Sequence, residues 1–277
     1  MIRKTSAFLI AAASAAGCSS LATDLPPLQP ISIVTMRSIP STASPTGFTA
    51  KAYGYFFSER GFTYTDSKFA SNTCVGPTRL VVNSSSPAVW LDPGTPTQFT
   101  LRGASGVPPR TVQLTKGVAG VNDVNVYTNA SIPTLYPGAD TTVITIPGVA
   151  GGFPALSVSG RTVEDFTFDP VPDSTTGAGG LPIRWSPSTL ANTAMEVALA
   201  YRSSATATAI DMQLVCTLVD DGEFAIPRQF LDGWLLAGDD SQPLQHEIRY
   251  TRFLTSAASA GDASILLLNT LDKTQVK

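Results

Sequence analysis

Apolar and polar residues alternate along most of the chain from about residue 48 onward. In residues 195–201, for example, Met195, Val197 and Leu199 alternate with Glu196 and with small residues. A period of two places successive side chains on opposite faces of a strand, whereas an amphipathic helix needs a period near 3.6. The alternation therefore predicts antiparallel sheets that bury one face.

Turn-forming residues separate these alternating runs. Combinations that contain Pro or Gly occur at residues 92–94, 107–109, 136–138 and 147–148. Short strands joined by such turns are typical of a sandwich with Greek-key connections. The sequence therefore predicts an all-β fold, specifically an immunoglobulin-like antiparallel β-sandwich.

Two local patterns indicate defined elements in the second half of the chain. Residues 220–223 have the sequence Asp-Asp-Gly-Glu, which favours a tight hairpin turn because Asp-Gly tolerates a positive φ, and residues 224–226 would begin the returning strand. Pro227 is followed by Phe230, Leu231 and Trp234 at helical offsets. This spacing predicts one short helix over 227–235.

The amino terminus has the three-part layout of an export signal. Arg3 and Lys4 precede an apolar run over 7–16, and small residues follow up to Cys18. The run is too short to span a bilayer, which needs about 20 apolar residues. Residues 1–17 are therefore expected to be a signal peptide.

Residues 15–18, Ala-Ala-Gly-Cys, resemble the lipobox of bacterial lipoproteins. The resemblance implies that the chain is cut before Cys18, that Cys18 is lipidated, and that the protein is held at a membrane without crossing it. Ser19 in place of an aspartate resembles the sorting pattern for the outer membrane of the cell envelope. The alternative is an ordinary secretory signal in which Cys18 is incidental.

The rest of the chain divides into three expected regions. Residues 18–47, with five prolines among serines and threonines, are expected to form a flexible tether, in which 31–34 could dock as a short strand. Glycine-rich residues 148–152 and the loop 170–182 suggest a boundary between a first sandwich over 48–160 and a second over 161–277. One larger sandwich is the alternative.

Three blocks resemble a loose group of exported bacterial lipoproteins that have no established function. The blocks are residues 91–94 (Leu-Asp-Pro-Gly), 183–186 (Ile-Arg-Trp-Ser), and 215–227, which begins Val-Cys and ends Ala-Ile-Pro. Because these blocks are turns and strand ends, the resemblance implies an immunoglobulin-like fold and carries no activity with it.

Charge and cysteine content limit the classes of partner. Only 14% of the residues are charged, the net charge is −3, and no basic run occurs, so nucleic acid is not an expected partner.

An exported chain meets an oxidising compartment, where Cys74 and Cys216 can form a disulfide. Two separate buried thiols are the equal alternative, because spacing does not fix connectivity.

Catalytic residues are not indicated by any strong motif. His246 is the single histidine, so a Ser-His-Asp triad or a histidine-based zinc site would depend on it. It shares a strand face with Leu244 and Ile248, which favours a packed histidine. No Gly-x-Ser-x-Gly elbow occurs, since residues 103–106 lack the spacing. We therefore assign no catalytic, cofactor or metal residue from the sequence.

Acidic clusters are weaker candidates for chemistry. Asp220, Asp221 and Glu223 could bind calcium, but a hairpin turn explains the same residues. Asp239 and Asp240 are expected in a solvated turn. A third cluster, Glu164 with Asp165 and Asp169, could contain the carboxylate pair of a glycosidase, and this depends on their separation in space.

Six aromatic residues could contribute to a carbohydrate-stacking platform, although aromatic residues in a sandwich more often pack in the core or across strands. They are Tyr53, Tyr55, Tyr64, Trp90, Tyr136 and Trp234. The expected function is a non-catalytic binding or interaction module, lipid-anchored at the envelope, with a protein or glycan partner. The alternatives are a carboxylate-based hydrolase of an envelope or extracellular polymer, and a structural spacer. The oligomeric state stays open.

Overall fold

The structure is a computed structural model that describes part of the chain. The described residues are 28–60, 72–79, 89–103, 108–119, 124–129, 132, 134–171, 180–201, 212–235 and 246–276. The expected signal peptide and Cys18 lie outside them.

The described residues form fifteen strands and one helix. The strands are β1 (Leu28–Pro40), β2 (Phe48–Arg60), β3 (Thr73–Arg79), β4 (Val89–Trp90), β5 (Thr97–Arg102), β6 (Arg110–Ala119), β7 (Val124–Thr128), β8 (Thr141–Ile146), β9 (Leu156–Arg161), β10 (Leu181–Arg184), β11 (Thr193–Tyr201), β12 (Met212–Val219), β13 (Glu223–Ile226), β14 (His246–Ala260) and β15 (Ala263–Val276). The helix is α1 (Arg228–Leu235).

Most of the strands belong to one continuous hydrogen-bonded sheet. Its order is β3-β12-β11-β14-β15-β1-β2-β7-β6-β5-β8-β9, and β4 pairs with β2 beside this path. Strands β10 and β13 form a separate two-stranded sheet. Among the described strands, β1 and β15 pair in parallel and the other pairs are antiparallel. The prediction of an all-β sandwich is confirmed, with a parallel pair that the alternation did not indicate.

Strand β6 folds the large sheet back on itself. Its residues 110–114 pair with β5, whereas residues 115–119 pair with β7. The sheet thus has two arms: β5, β8 and β9 on one side of the bend, and β7, β2, β1 and the strands beyond them on the other. The two arms face each other across the first core. Its fully buried members include Val34, Met36, Phe56, Phe99, Leu101, Ile144, Phe153 and Leu267.

A second core lies on the same sheet beyond β15. Strands β11, β12 and β14 form one wall, and the small β10-β13 sheet and α1 cover it. Burial alternates along β10, for example: Leu181 and Ile183 are buried, whereas Pro182 and Arg184 are exposed. The helix predicted over 227–235 is confirmed, since α1 starts directly after Pro227 and buries Leu231.

The long hairpin of β14 and β15 runs beneath both cores. Leu267 of β15 belongs to the first core and Leu271 to the second. Between them, the buried amide of Asn269 accepts a hydrogen bond from Thr142 Oγ1 of β8 (2.9 Å). In addition, β3 from the first half of the chain pairs with β12 from the second half. A single cut at residue 160 therefore does not separate the strands into two sets.

The prediction of a flexible tether over 18–47 is wrong from residue 28 onward. Residues 28–40 are a full strand in the middle of the sheet, between β15 and β2, and extend well beyond the short strand expected at 31–34. The reason is alternation: Val34, Met36 and Ser38 are buried, and the residues between them lie on the other face. Pro30 and Pro40 lie towards the strand's ends, where a missing N–H disturbs the pairing least.

The prediction of a hairpin at 220–223 is also wrong. A turn does form there, with Gly222 at φ +103. However, β13 pairs with β10 and not with β12, so the turn carries the chain from the large sheet to the small one. The backbone N–H of Trp185 donates to Gly222 O (2.9 Å), which ties the turn to the end of β10.

A disulfide joins Cys74 and Cys216, so the structure contains the bridge and not two separate thiols. The two residues are direct cross-strand partners of β3 and β12, with Cα atoms 4.0 Å apart. Cys216 is fully buried in the second core, against which Cys74 packs. The bridge therefore attaches the end strand of the sheet covalently to the core.

We expect replacement of both residues, C74A/C216A, to lower the free energy of unfolding by roughly 4 kcal/mol, because the bridge closes a long loop in the unfolded chain. The residues are 142 positions apart. Urea unfolding of the two proteins measures the difference. Intact mass of the wild-type protein should rise by two hydrogens per bridge on reduction, and an unchanged mass would show that no bridge forms.

Candidate binding groove

An open groove of about 520 Å³ lies where the large sheet folds back. It runs between the loop after β4 and the bend of β6. Its lining residues are Asp92, Thr95, Pro96, Gln113, Leu114, Thr115, Lys116 and Tyr127. Most of these side chains are exposed, and Leu114 and Tyr127 form a buried floor. The groove is therefore polar at its rim and apolar at its base.

The loop that forms one side is held by its own turn, as predicted for residues 92–94. Asp92 Oδ1 accepts from the backbone N–H of Gly94 (2.8 Å), and Thr97 Oγ1 donates to Gly94 O (2.9 Å). Gly94 has φ +80, and a Cβ there would lie 2.7 Å from Gly148 O. Glycine is needed at this position for both reasons.

A second loop supports the first from behind. The backbone N–H of Phe153 donates to Asp92 O (2.8 Å), and that of Gly148 donates to Pro93 O (3.0 Å). Phe153 is itself anchored in the first core. The carboxylate of Asp92 is therefore presented to solvent from a backbone that is fixed on both sides.

The bend of β6 forms the other side of the groove. Gln113, Thr115 and Lys116 are exposed, and Leu114 between them is buried in the first core. The hydroxyl of Thr115 donates to Thr128 O of β7 (3.1 Å), which secures the bend. Within the described part of the chain, Lys116 makes no ion pair. Its ammonium group is therefore free to bind a ligand.

Tyr127 connects the floor of the groove to Asp92. Its ring packs edge-to-face against Phe56, with centroids 5.3 Å apart. Burial raises the pKa of the Tyr127 phenol, and the nearby carboxylate of Asp92 raises it further. The phenol is therefore neutral at physiological pH and can donate a hydrogen bond.

The residues predicted as a glycosidase pair are engaged elsewhere. Glu164 accepts hydrogen bonds from Ser188 Oγ (2.8 Å) and from the backbone N–H of Thr189 (2.7 Å). Hydrogen bonding from Thr189 lowers the pKa of Glu164, although burial opposes it. A general acid needs a raised pKa, so this environment is the opposite of the one required. Asp165 pairs with Lys273 (2.6 Å).

Asp220 departs most from its expected role. The expectation was a solvated turn or a weak calcium ligand, but its side chain is almost completely buried. Its Oδ2 lies 2.8 Å from Nε of the fully buried Arg252, and its Oδ1 accepts from Trp185 Nε1 (2.7 Å). Glu223 is exposed beside Arg184, at 3.6 Å. Among the described residues, no cluster of three or more His, Cys, Asp or Glu side chains is arranged to hold a metal.

The six aromatic candidates do not form one platform in the described structure. Tyr53, Tyr55 and Trp90 lie partly exposed on the outer face of the sheet, whereas Tyr136 packs against the guanidinium of Arg110 at 5.4 Å. His246 is the first residue of β14. Several predicted side chains fall outside the described set: Cys18, Tyr64, Trp234, Asp239, Asp240 and that of His246.

One side of the groove is predictable from the sequence, and the other side is not. The Asp-Pro-Gly turn that contains Asp92 was predicted from its residue types. Gln113, Lys116 and Tyr127 were missed, because they come together through the bend of β6, and no proline or glycine marks that bend between residues 110 and 116.

Comparisons with known proteins add no family assignment. No family model matches the chain, and no curated protein is significantly similar to it. Within the described residues, no helix has the length and apolar character needed to cross a bilayer.

We expect Tyr127 and Tyr250 to ionise above the usual tyrosine range. Burial raises the pKa of both phenols, and the charge of Asp169 raises that of Tyr250 further. Because the neutral form is favoured in the folded state, its contribution to stability is complete below pH 10 and is lost only as the pH rises through each raised pKa. In a pH titration followed by tyrosinate absorbance, Y127F and Y250F should each lack one late-titrating phenol that the wild type has. Loss of a phenol that titrates near pH 10 would contradict this.

Proposed function

We propose that the protein is a lipid-anchored, non-catalytic binding module at the outer membrane of the bacterial cell envelope, and that its groove binds a glycan. The lipobox-like residues 15–18 support the anchor. The observation that carries the binding role is the groove, where exposed polar side chains surround a buried apolar floor on a fixed scaffold. Concave sites of this kind are the usual ligand sites of proteins.

The groups in the groove fit a polyhydroxyl ligand. Asp92 offers acceptors, Lys116 offers donors, and Gln113 offers both. Each hydroxyl of a sugar both donates and accepts, so a mixed set of this kind can bind several of them. A protein partner would be expected to need a larger apolar centre to its interface than this groove provides.

The same groups support binding over hydrolysis. Hydrolysis of a glycan needs an acid with a raised pKa and a second carboxylate at a suitable distance. Asp92 is the carboxylate in the groove lining, and it already accepts from the backbone N–H of Gly94. The remaining polar groups there are amide, hydroxyl and ammonium groups, which serve for recognition.

We expect the protein to co-sediment with purified peptidoglycan sacculi and to release no reducing ends from them. The variant Q113A/K116A should bind about tenfold more weakly or worse, because it removes two sets of donors worth about 1 kcal/mol or more each. K51A is the matched control, since Lys51 is exposed on β2 and lies outside the groove lining.

Three results would contradict the proposal. Equal binding by Q113A/K116A and wild type would show that the groove is not the binding site. Absence of co-sedimentation would exclude peptidoglycan as the ligand. Release of reducing ends would instead favour the hydrolase, and the Asp92→Asn variant would then show whether the groove is responsible.

A further inference from the structure

The outer face of the large sheet carries an aromatic band, which we define as Ile33, Tyr53, Tyr55, Phe57 and Trp90. On β2 the even-numbered residues, such as Ala52 and Phe56, are fully buried in the first core. Side chains alternate along a strand, so the odd-numbered ones lie on the opposite, outer face. The five residues of the band are all partly exposed.

Strand register places these side chains next to one another. Ile33 of β1 is the direct partner of Tyr55, and Phe57 is the direct partner of Trp90. The rings of Phe57 and Trp90 meet edge-to-face with centroids 6.0 Å apart. In the same face, Leu266 beside Ile33 and Ile31 beside Phe57 are buried. The band is therefore a group of neighbouring, partly exposed apolar side chains on β1, β2 and β4.

The opposite end of the same outer face is charged. Further along β1, Arg37 is the direct partner of Lys51 of β2. Arg37 Nε also lies 2.6 Å from a carboxylate oxygen of Asp272 on β15. The aromatic band thus lies between this charged end and Glu59, an exposed residue of the same face at the other end of β2.

The aromatic end is the end where the chain enters the body. Strand β1 begins at Leu28, and Ile31, three residues later, is the partner of Phe57. Cys18 precedes Leu28 by ten positions. Ten residues span at most about 35 Å when fully extended and about 17 Å as a flexible coil. An anchor at Cys18 therefore holds this end of the body close to the bilayer.

We propose that the aromatic band docks onto the membrane surface, so that the body lies against the bilayer. Tryptophan and tyrosine favour the interface between headgroups and acyl chains, because each combines an apolar ring with a polar group. The charged end of the face then points away from the bilayer, towards water. This proposal rests on the proposed lipid anchor for the proximity of the bilayer.

The test uses the full mature protein from membranes, reconstituted into phosphatidylethanolamine–phosphatidylglycerol vesicles that contain acyl chains brominated near the headgroup. Brominated lipid should quench part of the tryptophan emission, and W90F should reduce that quenching at least about twofold, because Trp90 is an interfacial tryptophan in this account. Trp185 is the internal control, since it is buried and bonded to Asp220. In the wild type, vesicles should also protect Trp90 from acrylamide in solution.

Each contrary result has a separate meaning. Unchanged quenching in W90F, or no quenching in the wild type, overturns the docking. If, without lipid, Trp90 becomes more protected from acrylamide as the protein concentration rises, a second copy of the chain covers the band. That result also overturns membrane docking. Intact mass of the same preparation reports acylation of Cys18. An acylated protein without quenching defeats the docking alone, whereas quenching without acylation supports docking and defeats the anchor.

Discussion

The buried guanidinium of Arg252 organises the second half of the molecule. Arg252 lies on β14, is completely buried, and pairs with Asp220 at the end of β12. It also donates to the backbone carbonyls of Glu164, Asp165 and Ser186. A buried charge without partners would cost several kcal/mol, so the segments that supply these acceptors must remain in place.

This network joins pieces of chain that are distant in sequence. The ring of Phe166 lies under the guanidinium, 4.9 Å from its central carbon, and Trp185 donates to the same carboxylate that pairs with Arg252. The segment after β9, the end of β10 and the turn after β12 are thereby fixed to the sheet. The small sheet and α1 continue from these fixed points, and together they close the second core.

The first core supplies a comparable support for the groove. Phe153 and Leu114 are buried there, and each lies next to residues that shape the groove in the loop and in the bend. Binding residues on loops and bends need a rigid scaffold beneath them. Asn269 on β15 and Thr142 on β8 link the sheet arms under both cores, so the groove and the second core share one central hairpin.

The periodicity of apolar residues predicted individual strands and the helix. The alternation at 195–201 corresponds to β11, and the proline-led pattern at 227–235 corresponds to α1. Periodicity does not indicate which strands pair with each other. The parallel pairing of β1 with β15 and the pairing of β3 with β12 were therefore not predicted. These strands are brought together by tertiary packing of residues far apart in sequence.

Asp220 illustrates the same limit for single residues. In the sequence it is one of two aspartates before a glycine, a pattern that a solvated turn explains fully. Its burial depends on Arg252 and Trp185, which lie 32 and 35 residues away. The groove was missed for a related reason, because it depends on where β6 changes from one arm of the sheet to the other.

A double-mutant cycle on Arg252 and Asp220 tests the central claim most directly. R252M and D220N should each lower the free energy of unfolding in urea by about 3–5 kcal/mol, because each leaves one buried charge without its partner. The double variant should lose less than the sum of the two, by about 2–3 kcal/mol. Strictly additive losses, or single losses below about 1 kcal/mol like those of exposed pairs, would contradict the account.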